Sequence, residues 1–180
     1  MQSTIHNTFV IERTYPVSPE RVFAAFADPV RKRRWFVAGG GNEVGHYELD
    51  FRVGGREVAR FSGNAGPMKG VIFTNEGTIL DIVPNRRIVA AHTMAMRENH
   101  FSASLVTFEL LATETGTDLI FTHQAAFFEG ADGPEMRQEG WRKLLERLGA
   151  ELESGRRRPP TSTAYFTRWA TPPAGRWWRS

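Results

Sequence analysis

Six strand-like segments follow one another between Gly45 and Gln124 with no helical segment between them. Most show the alternation of apolar and polar residues expected of a strand with one buried face. The turns between them are short, such as those at Gly54-Gly55 and Thr115-Gly116, and hairpins are the natural connection for such turns. The chain should therefore form an antiparallel sheet from the segments HYELDF, EVARFSG, GPMKGVIFTNEGTILDIVP, RRIVAAHTMAM, SASLVTFELLAT and TDLIFTHQAAF.

The residues before this region predict one more strand and two short helices. NTFVIERTY alternates like the other strands. Ser18 and then Asp28 are suitable N-cap residues, and each precedes a proline, which is favoured at the first position of a helix. The second helix should end near Trp35, before glycines 39 to 41.

The segment after the last strand predicts one long amphipathic helix. In GPEMRQEGWRKLLERLGAELES the apolar residues recur at helical spacing, as one stripe. Glu139, Lys143 and Arg147 are expected on the solvent side. The stripe consists of Trp141, Leu144, Leu145, Leu148 and Leu152.

This order of elements predicts an α+β fold in which a strongly curved antiparallel sheet wraps around the long C-terminal helix. The helix stripe and the inward residues of the strands would bury each other. A curved sheet can leave space beneath such a helix, so we expect a ligand pocket there.

Composition excludes several classes of site and location. The 180 residues include no cysteine, which rules out disulfides, thiolate metal sites and cysteine nucleophiles. No apolar run is long enough to span a membrane, and the N-terminus lacks the pattern of a signal peptide, so a cytoplasmic location is expected. Phosphate-binding glycine loops and serine or zinc hydrolase motifs are also missing.

Positive charge is concentrated at the C-terminus. The tail after Glu153 carries six arginines and no acidic residue, whereas residues 1–153 hold 17 Lys and Arg against 20 Asp and Glu. We therefore predict one domain at 1–153 and a basic, poorly ordered tail at 154–180. The acidic balance of the domain argues against nucleic-acid binding, although Arg156-Arg157-Arg158 with Trp169, Trp177 and Trp178 leaves an acidic partner of the tail open.

Five segments in register resemble a known superfamily. The chain resembles the START-like (SRPBCC) helix-grip superfamily, and within it the family named for the activator of the 90-kDa heat-shock protein's ATPase. The similarity covers residues 9 to about 153 and is carried by ERTYPVSPERVFAAFADPVRKRRWF, DFRVGG, EGTILDIVPNRRIV, LVTFELLATETGTDLIFTH and EGWRKLLERL.

The resemblance implies a hydrophobic cavity under the C-terminal helix and a pocket-closing aromatic near Trp35. The chain departs from the family where an aromatic often follows VPNRR, because His92 stands there, which predicts a more polar cavity. The co-chaperone after which the family is named has a separate N-terminal chaperone-binding domain, and this chain is too short to hold one as well. A chaperone partner is therefore implied by the family name alone.

His92 and His123 are the leading polar candidates. Each shares a strand face with apolar residues, and so each should point inward. They could orient a ligand or act as general acid or base; alternatively they are core histidines with hydrogen-bond partners. No spacing supports a metal site, no cofactor is expected, and Glu48, Asp50 and Glu109 should face solvent.

The apolar candidates would line the pocket or simply form the core. Trp35 is the expected lid beside a glycine hinge, with the cations 31 to 34 mostly on its solvent side, and Phe36, Met68 and Phe101 are expected in loops. The predicted ligand-binding set is Trp35, Tyr47, Phe51, Phe61, Phe73, His92, Met94, Phe121, His123, Trp141 and Leu145.

The sequence therefore predicts a protein that binds a small hydrophobic or amphipathic molecule. The alternatives are a cyclase- or hydrolase-type enzyme that uses His92 or His123, and a protein-interaction module linked to a chaperone. A homodimer is open as well. Catalysis is the less favoured of these readings.

Overall fold

One antiparallel sheet of seven strands organises the molecule. The structure, a computed structural model, describes residues 3–39, 43–63 and 66–155. The strand order is β1-β7-β6-β5-β4-β3-β2, in which every neighbour pair except β1–β7 is a consecutive hairpin. The strands are β1 (Ile5–Tyr15), β2 (Glu43–Leu49), β3 (Arg56–Ser62), β4 (Ile72–Val83), β5 (Arg87–Met96), β6 (Asn99–Ala112) and β7 (Thr117–Phe127).

The helices lie at the two places that the sequence predicts. α1 (Pro19–Ala27) and α2 (Pro29–Lys32) follow β1, and α2 continues as a π-helical segment over Arg33–Ala38. α3 (Pro134–Ser154) is the last described element. The curved sheet and the long C-terminal helix together confirm the predicted α+β helix-grip fold.

Two local predictions differ from the structure. The segment from Gly66, predicted as a long strand or a strand with a bulge, begins with a short 3₁₀ turn, Gly66–Met68, before β4 starts at Ile72. The pairing of β4 with β5 shifts between Ile79 and Asp81, as a bulge would produce. Phe101 was expected in a loop but lies buried in β6, because that strand begins at Asn99. The predicted division at residue 153 stays a prediction, since residues 156–180 lie outside the described part of the chain.

The apolar stripe of α3 packs against the concave face of the sheet. Leu145, Leu148 and Leu152 are almost fully buried, and Leu144 at the border of the stripe is half-buried. Trp141 packs its ring against Phe121 of β7, with 4.3 Å between ring centroids, and against Phe108 of β6. Burial of this kind stabilises the fold by about 25 cal/mol per Å² of apolar surface.

Asp28 fixes the junction between α1 and α2. Its carboxylate accepts hydrogen bonds from the backbone N–H groups of Val30 and Arg31, at 2.8 and 3.2 Å. Ser18 occupies the corresponding position before α1, but its hydroxyl makes no capping hydrogen bond.

A buried ion pair joins α2 to the sheet. The Lys32 ammonium lies 2.8 Å from Oε2 of Glu57 on β3, and the hydroxyl of Tyr47 donates to Oε1 of the same carboxylate at 2.8 Å. Burial alone would raise the pKa of Glu57, but the Lys32 charge, His92 and the two hydrogen bonds outweigh burial and lower it. Desolvation and the Glu57 charge raise the pKa of Tyr47.

This pair corrects the prediction that cations 31 to 34 face mostly solvent. Lys32 is only 8% exposed. Arg31 and Arg34 both reach Glu151 on α3, at 3.3 and 2.6 Å. The helical segment is therefore tied to both the sheet and α3 by its own cations.

The cap at Asp28 gives a test with an internal control. We expect Asp28→Ala to lower the free energy of unfolding by about 1 kcal/mol, because two backbone donors lose their acceptor. Ser18→Ala should lower it by a few tenths of a kcal/mol, since no cap bond is lost. Urea denaturation of both variants measures the difference, and equal losses would contradict the assignment.

The buried ion pair predicts a coupled loss of stability. We expect Lys32→Met to lower the free energy of unfolding by about 3–5 kcal/mol, because the Glu57 carboxylate stays buried without its counter-charge. Lys32→Met combined with Glu57→Gln should be more stable than Lys32→Met alone. A double-mutant cycle by urea denaturation checks this, and additive losses would refute the coupling.

Candidate functional site

A cavity of about 260 Å³ lies between α3, the concave face of the sheet and the π-helical segment. Its walls are mostly apolar, with a smaller group of polar side chains. The apolar lining comprises Phe36, Val37, Ala59, Phe61, Met94, Val106, Met136, Trp141 and Leu144, and the remaining lining residues are Asn75, His92, Ser104, His123, Asp132, Arg137, Gly140 and Arg147.

Five of the predicted ligand-binding residues line this cavity. They share either an inward strand position or the apolar stripe of α3, and they are Phe61, His92, Met94, His123 and Trp141. The other six predicted residues are not part of the cavity lining; they are Trp35, Tyr47, Phe51, Phe73, Phe121 and Leu145.

Phe121 and Leu145 belong to the packed core beneath the cavity, where both are fully buried. Tyr47 donates its hydroxyl hydrogen bond to Glu57 and is not among the residues that line the cavity. Phe51 packs against Phe23 of α1 with ring centroids 5.5 Å apart, and Phe73 stacks on Phe61 at 5.7 Å. Neither lines the cavity.

Trp35 is not a lid, because it is 1% exposed and lies in the core. Its indole N–H donates to the carbonyl of Ala25 at 3.0 Å, and its ring packs on Phe26. The expected position assumed α-helical spacing, whereas a π-helix closes hydrogen bonds at i→i+5 and so turns a different side chain inward. Within the π-helical segment it is Phe36, and not Trp35, that lines the cavity. The ring centroid of Phe36 is 6.0 Å from that of Trp141. Of the expected glycine hinge, residues 40 and 41 lie outside the described residues.

His123 is a buried imidazole with an unsatisfied nitrogen. It is 1% exposed on β7, stacked on Phe9 at 4.7 Å and adjacent to Trp141. Its Nδ1 has no hydrogen-bond partner among the described residues, contrary to the expectation for a purely structural histidine. Burial, followed by the charges of Arg137 and His92, lowers the pKa of His123 to about 3.

His92 has a partner and a close backbone neighbour. Its Nδ1 lies 2.9 Å from Oδ1 of Asn75 on the adjacent strand. The ring covers Gly77, which pairs with His92 across the β4–β5 ladder, and an ideal Cβ at Gly77 would lie 2.5 Å from the ring. Burial lowers the pKa of His92 to about 4, with Glu57 opposing the shift and Lys32 adding to it.

Arg137 closes one end of the cavity together with Asp132. The guanidinium makes two hydrogen bonds of 2.7 Å to the Asp132 carboxylate and one of 3.0 Å to Ser102. It lies between the rings of Phe127 and Phe101 and is almost fully buried. The charge at this end is therefore neutralised within the protein.

The low pKa values of His92 and His123 make the two side chains better suited to hydrogen bonding with a bound molecule than to acid–base catalysis. Both histidines are neutral at ordinary pH, and side chains with pKa values of about 3 and 4 are weak bases. Across the described residues no three His, Asp or Glu side chains are placed to hold a metal ion. None of the described helices has the length and apolar character to cross a membrane.

The histidines predict a loss of stability in mild acid. Their folded pKa values of about 3 and 4 lie below the ordinary 6.5, so the unfolded state binds more protons between these limits. Their contribution is complete above pH 6.5 and is lost as the pH falls, by up to about 1.4 kcal/mol per pH unit for each histidine.

His123→Leu should therefore weaken the fall in the free energy of unfolding between pH 6.5 and 4.5. Urea denaturation at several pH values measures the slope. His6→Asn, at an exposed histidine, serves as the control. A slope that is unchanged in His123→Leu would contradict the assignment.

Comparisons with known proteins agree with this geometry. The Mll3558 protein from Rhizobium loti is 50% identical over 83% of this chain and 99% of its own, with a TM-score of 0.74. A putative uncharacterized protein from Rhizobium leguminosarum is 36% identical over 84% of this chain and 97% of its own, with a TM-score of 0.79. An AHSA1-like protein from Aeromonas hydrophila, 21% identical over 83% of this chain and 94% of its own, has the same fold with a TM-score of 0.61.

No match is found among curated proteins. The family model described as "Activator of Hsp90 ATPase homolog 1-like protein" matches residues 16–153, which include α1, α2, all but the last residue of α3, and the strands β2 to β7. The chain belongs to the Activator of Hsp90 ATPase homolog 1-like family, within the START-like (SRPBCC) superfamily.

Proposed function

We propose that the protein binds a small amphipathic molecule whose apolar body fills the cavity under α3. The observation that carries this proposal is that His123, a residue lining the cavity, has a buried Nδ1 without a hydrogen-bond partner among the described residues. A buried nitrogen without a partner costs about 1–3 kcal/mol, and a ligand with a complementary polar atom would remove that cost.

The lining supports an apolar body of modest size. Ligand pockets typically enclose about 300–1,000 Å³ and combine apolar walls with a few polar groups that fix orientation. This cavity is close to the lower limit of that range. Trp141 and Phe36 supply flat apolar walls, and Met94 is a flexible side chain that can adapt to the shape of a ligand.

Gly140 leaves open space at the cavity wall. It lies on the cavity side of α3, and a Cβ built there meets no atom within 4 Å. Glycine within a helix is less stable than alanine by about 1 kcal/mol, so a larger residue at this position would favour the helix while narrowing the cavity.

This proposal is tested with the uncharged fluorescent probe N-phenyl-1-naphthylamine. Gly140→Leu should lower the affinity for the probe about tenfold or more, because the new side chain occupies the space of the ligand. The matched control is Ala150→Leu, which adds the same side chain to the exposed face of α3 and should leave the affinity unchanged.

Fluorescence titration gives the two dissociation constants, and thermal unfolding confirms that both variants are folded. Wild-type protein that does not bind the probe, or Gly140→Leu that binds it as well as the wild type does, would overturn the proposed function.

A further inference from the structure

We propose that the molecule held in the cavity carries an anionic group, which the guanidinium of Arg147 receives at the edge of the cavity. This inference rests on the proposed function and specifies the chemical class of its ligand. It concerns a residue that the sequence predicted to face solvent and that the structure places in the cavity lining.

Arg147 lies at the opposite end of the cavity from Arg137. Both residues line the cavity, and they are ten positions apart on α3, which corresponds to about 15 Å along the helix. The stem of Arg147 lies over Gly39, since an ideal Cβ at Gly39 would be 2.5 Å from its Cδ atom. The absence of a side chain at Gly39 therefore lets Arg147 turn inward instead of extending into solvent.

The guanidinium of Arg147 forms no ion pair with any carboxylate of the described residues. Residues three or four positions apart on a helix are neighbours, and the one acidic neighbour of this kind is Glu151. Both oxygens of Glu151 are already engaged: Arg34 binds them at 2.6 and 2.9 Å, and Arg31 binds Oε1 at 3.3 Å.

The surroundings of Arg147 favour an anion from outside. Lys143, one turn earlier on α3, has the same charge and is paired with Glu139. Burial lowers the pKa of Arg147, as expected for a partly desolvated cation. An anionic ligand would supply the missing counter-charge.

Arg147 differs from the buried cations Lys32 and Arg137, because each of those has a carboxylate partner. Lys32 is neutralised by Glu57, and Arg137 by Asp132. An anionic ligand is therefore attracted to the Arg147 end alone. Its charged group would lie at Arg147, and its apolar body would extend past Trp141 and bring a polar atom to His123.

Two probes with the same aromatic body test the inference. 8-Anilinonaphthalene-1-sulfonate carries a sulfonate, and N-phenyl-1-naphthylamine lacks it. Arg147→Gln should weaken binding of the sulfonate probe about tenfold and change the affinity for the neutral probe less than about twofold, because a hydrogen-bonded charge is lost for one probe only. Arg147→Lys should restore most of the sulfonate affinity.

Lys143→Gln is the matched control variant. It removes one positive charge from α3 at a residue that does not line the cavity, so it should leave both affinities unchanged. Equal effects of Arg147→Gln and Lys143→Gln on the sulfonate probe would show that general surface charge, and no specific contact, attracts the anion, and would overturn the inference.

Displacement of the neutral probe identifies the head group. Octanoate, octyl phosphate and octan-1-ol share an eight-carbon chain, and we expect at least one anion to compete about tenfold better than the alcohol in the wild type and to lose that advantage in Arg147→Gln. The stronger anion distinguishes a carboxylate from a phosphate ligand. An alcohol that competes as well as both anions would overturn the inference.

The two proposals fail in different ways. If Gly140→Leu does not weaken binding of the neutral probe, the cavity is not the binding site and the proposed function is wrong. If Gly140→Leu weakens it but Arg147→Gln affects both probes alike, the cavity binds ligand and only the anionic group is wrong.

Discussion

The packing of Trp141 onto Phe121 is the contact on which the rest of the structure depends. One side of the indole presses on the strands of the concave face, and another part of it remains in the cavity wall. Below this contact, the leucines of α3 form a close-packed core. Beside it, the sheet curves away from the helix and leaves space. A single side chain therefore marks the boundary between the region that stabilises the fold and the region that is open to a ligand.

The cations of the core and of the cavity wall also differ in whether a carboxylate neutralises them. The buried cations Lys32 and Arg137 have carboxylate partners, so they connect parts of the fold without creating a net charge. Such pairs contribute little net stability, yet breaking them leaves an uncompensated charge. Arg147 has a position in the cavity wall and no such partner among the described residues. Which of these cations has a carboxylate partner follows from the position of each carboxylate in the fold, which cannot be inferred from composition.

Strand periodicity predicted the fold and part of the site. His92, Met94 and His123 were placed inward by the alternation of their strands, and the structure puts them in the cavity wall. Trp35 was misplaced because π-helical spacing leaves no recognisable mark in RRWFVA.

Three other residues were missed although a signal was present. Glu57 shares its strand face with Ala59 and Phe61, and Arg137 lies one turn before Trp141 on α3. Arg147 lies three residues after Leu144. For each of them, an oppositely charged partner or the cavity makes the inward position of the charge acceptable. Pairing between distant segments, such as Lys32 with Glu57, depends on the tertiary fold and has no local pattern.

Gly77 influences the size of the cavity although it does not line it. It pairs with Glu57 on one side and with His92 on the other, and the imidazole rests on its bare backbone. Any side chain at this position would lift the ring away from the sheet, into the space beneath α3. The volume open to a ligand is thus controlled by a residue behind the wall, which never touches the ligand. In proteins built this way, the range of ligands that fit can change when the residue beneath a lining side chain changes, while every lining residue stays the same.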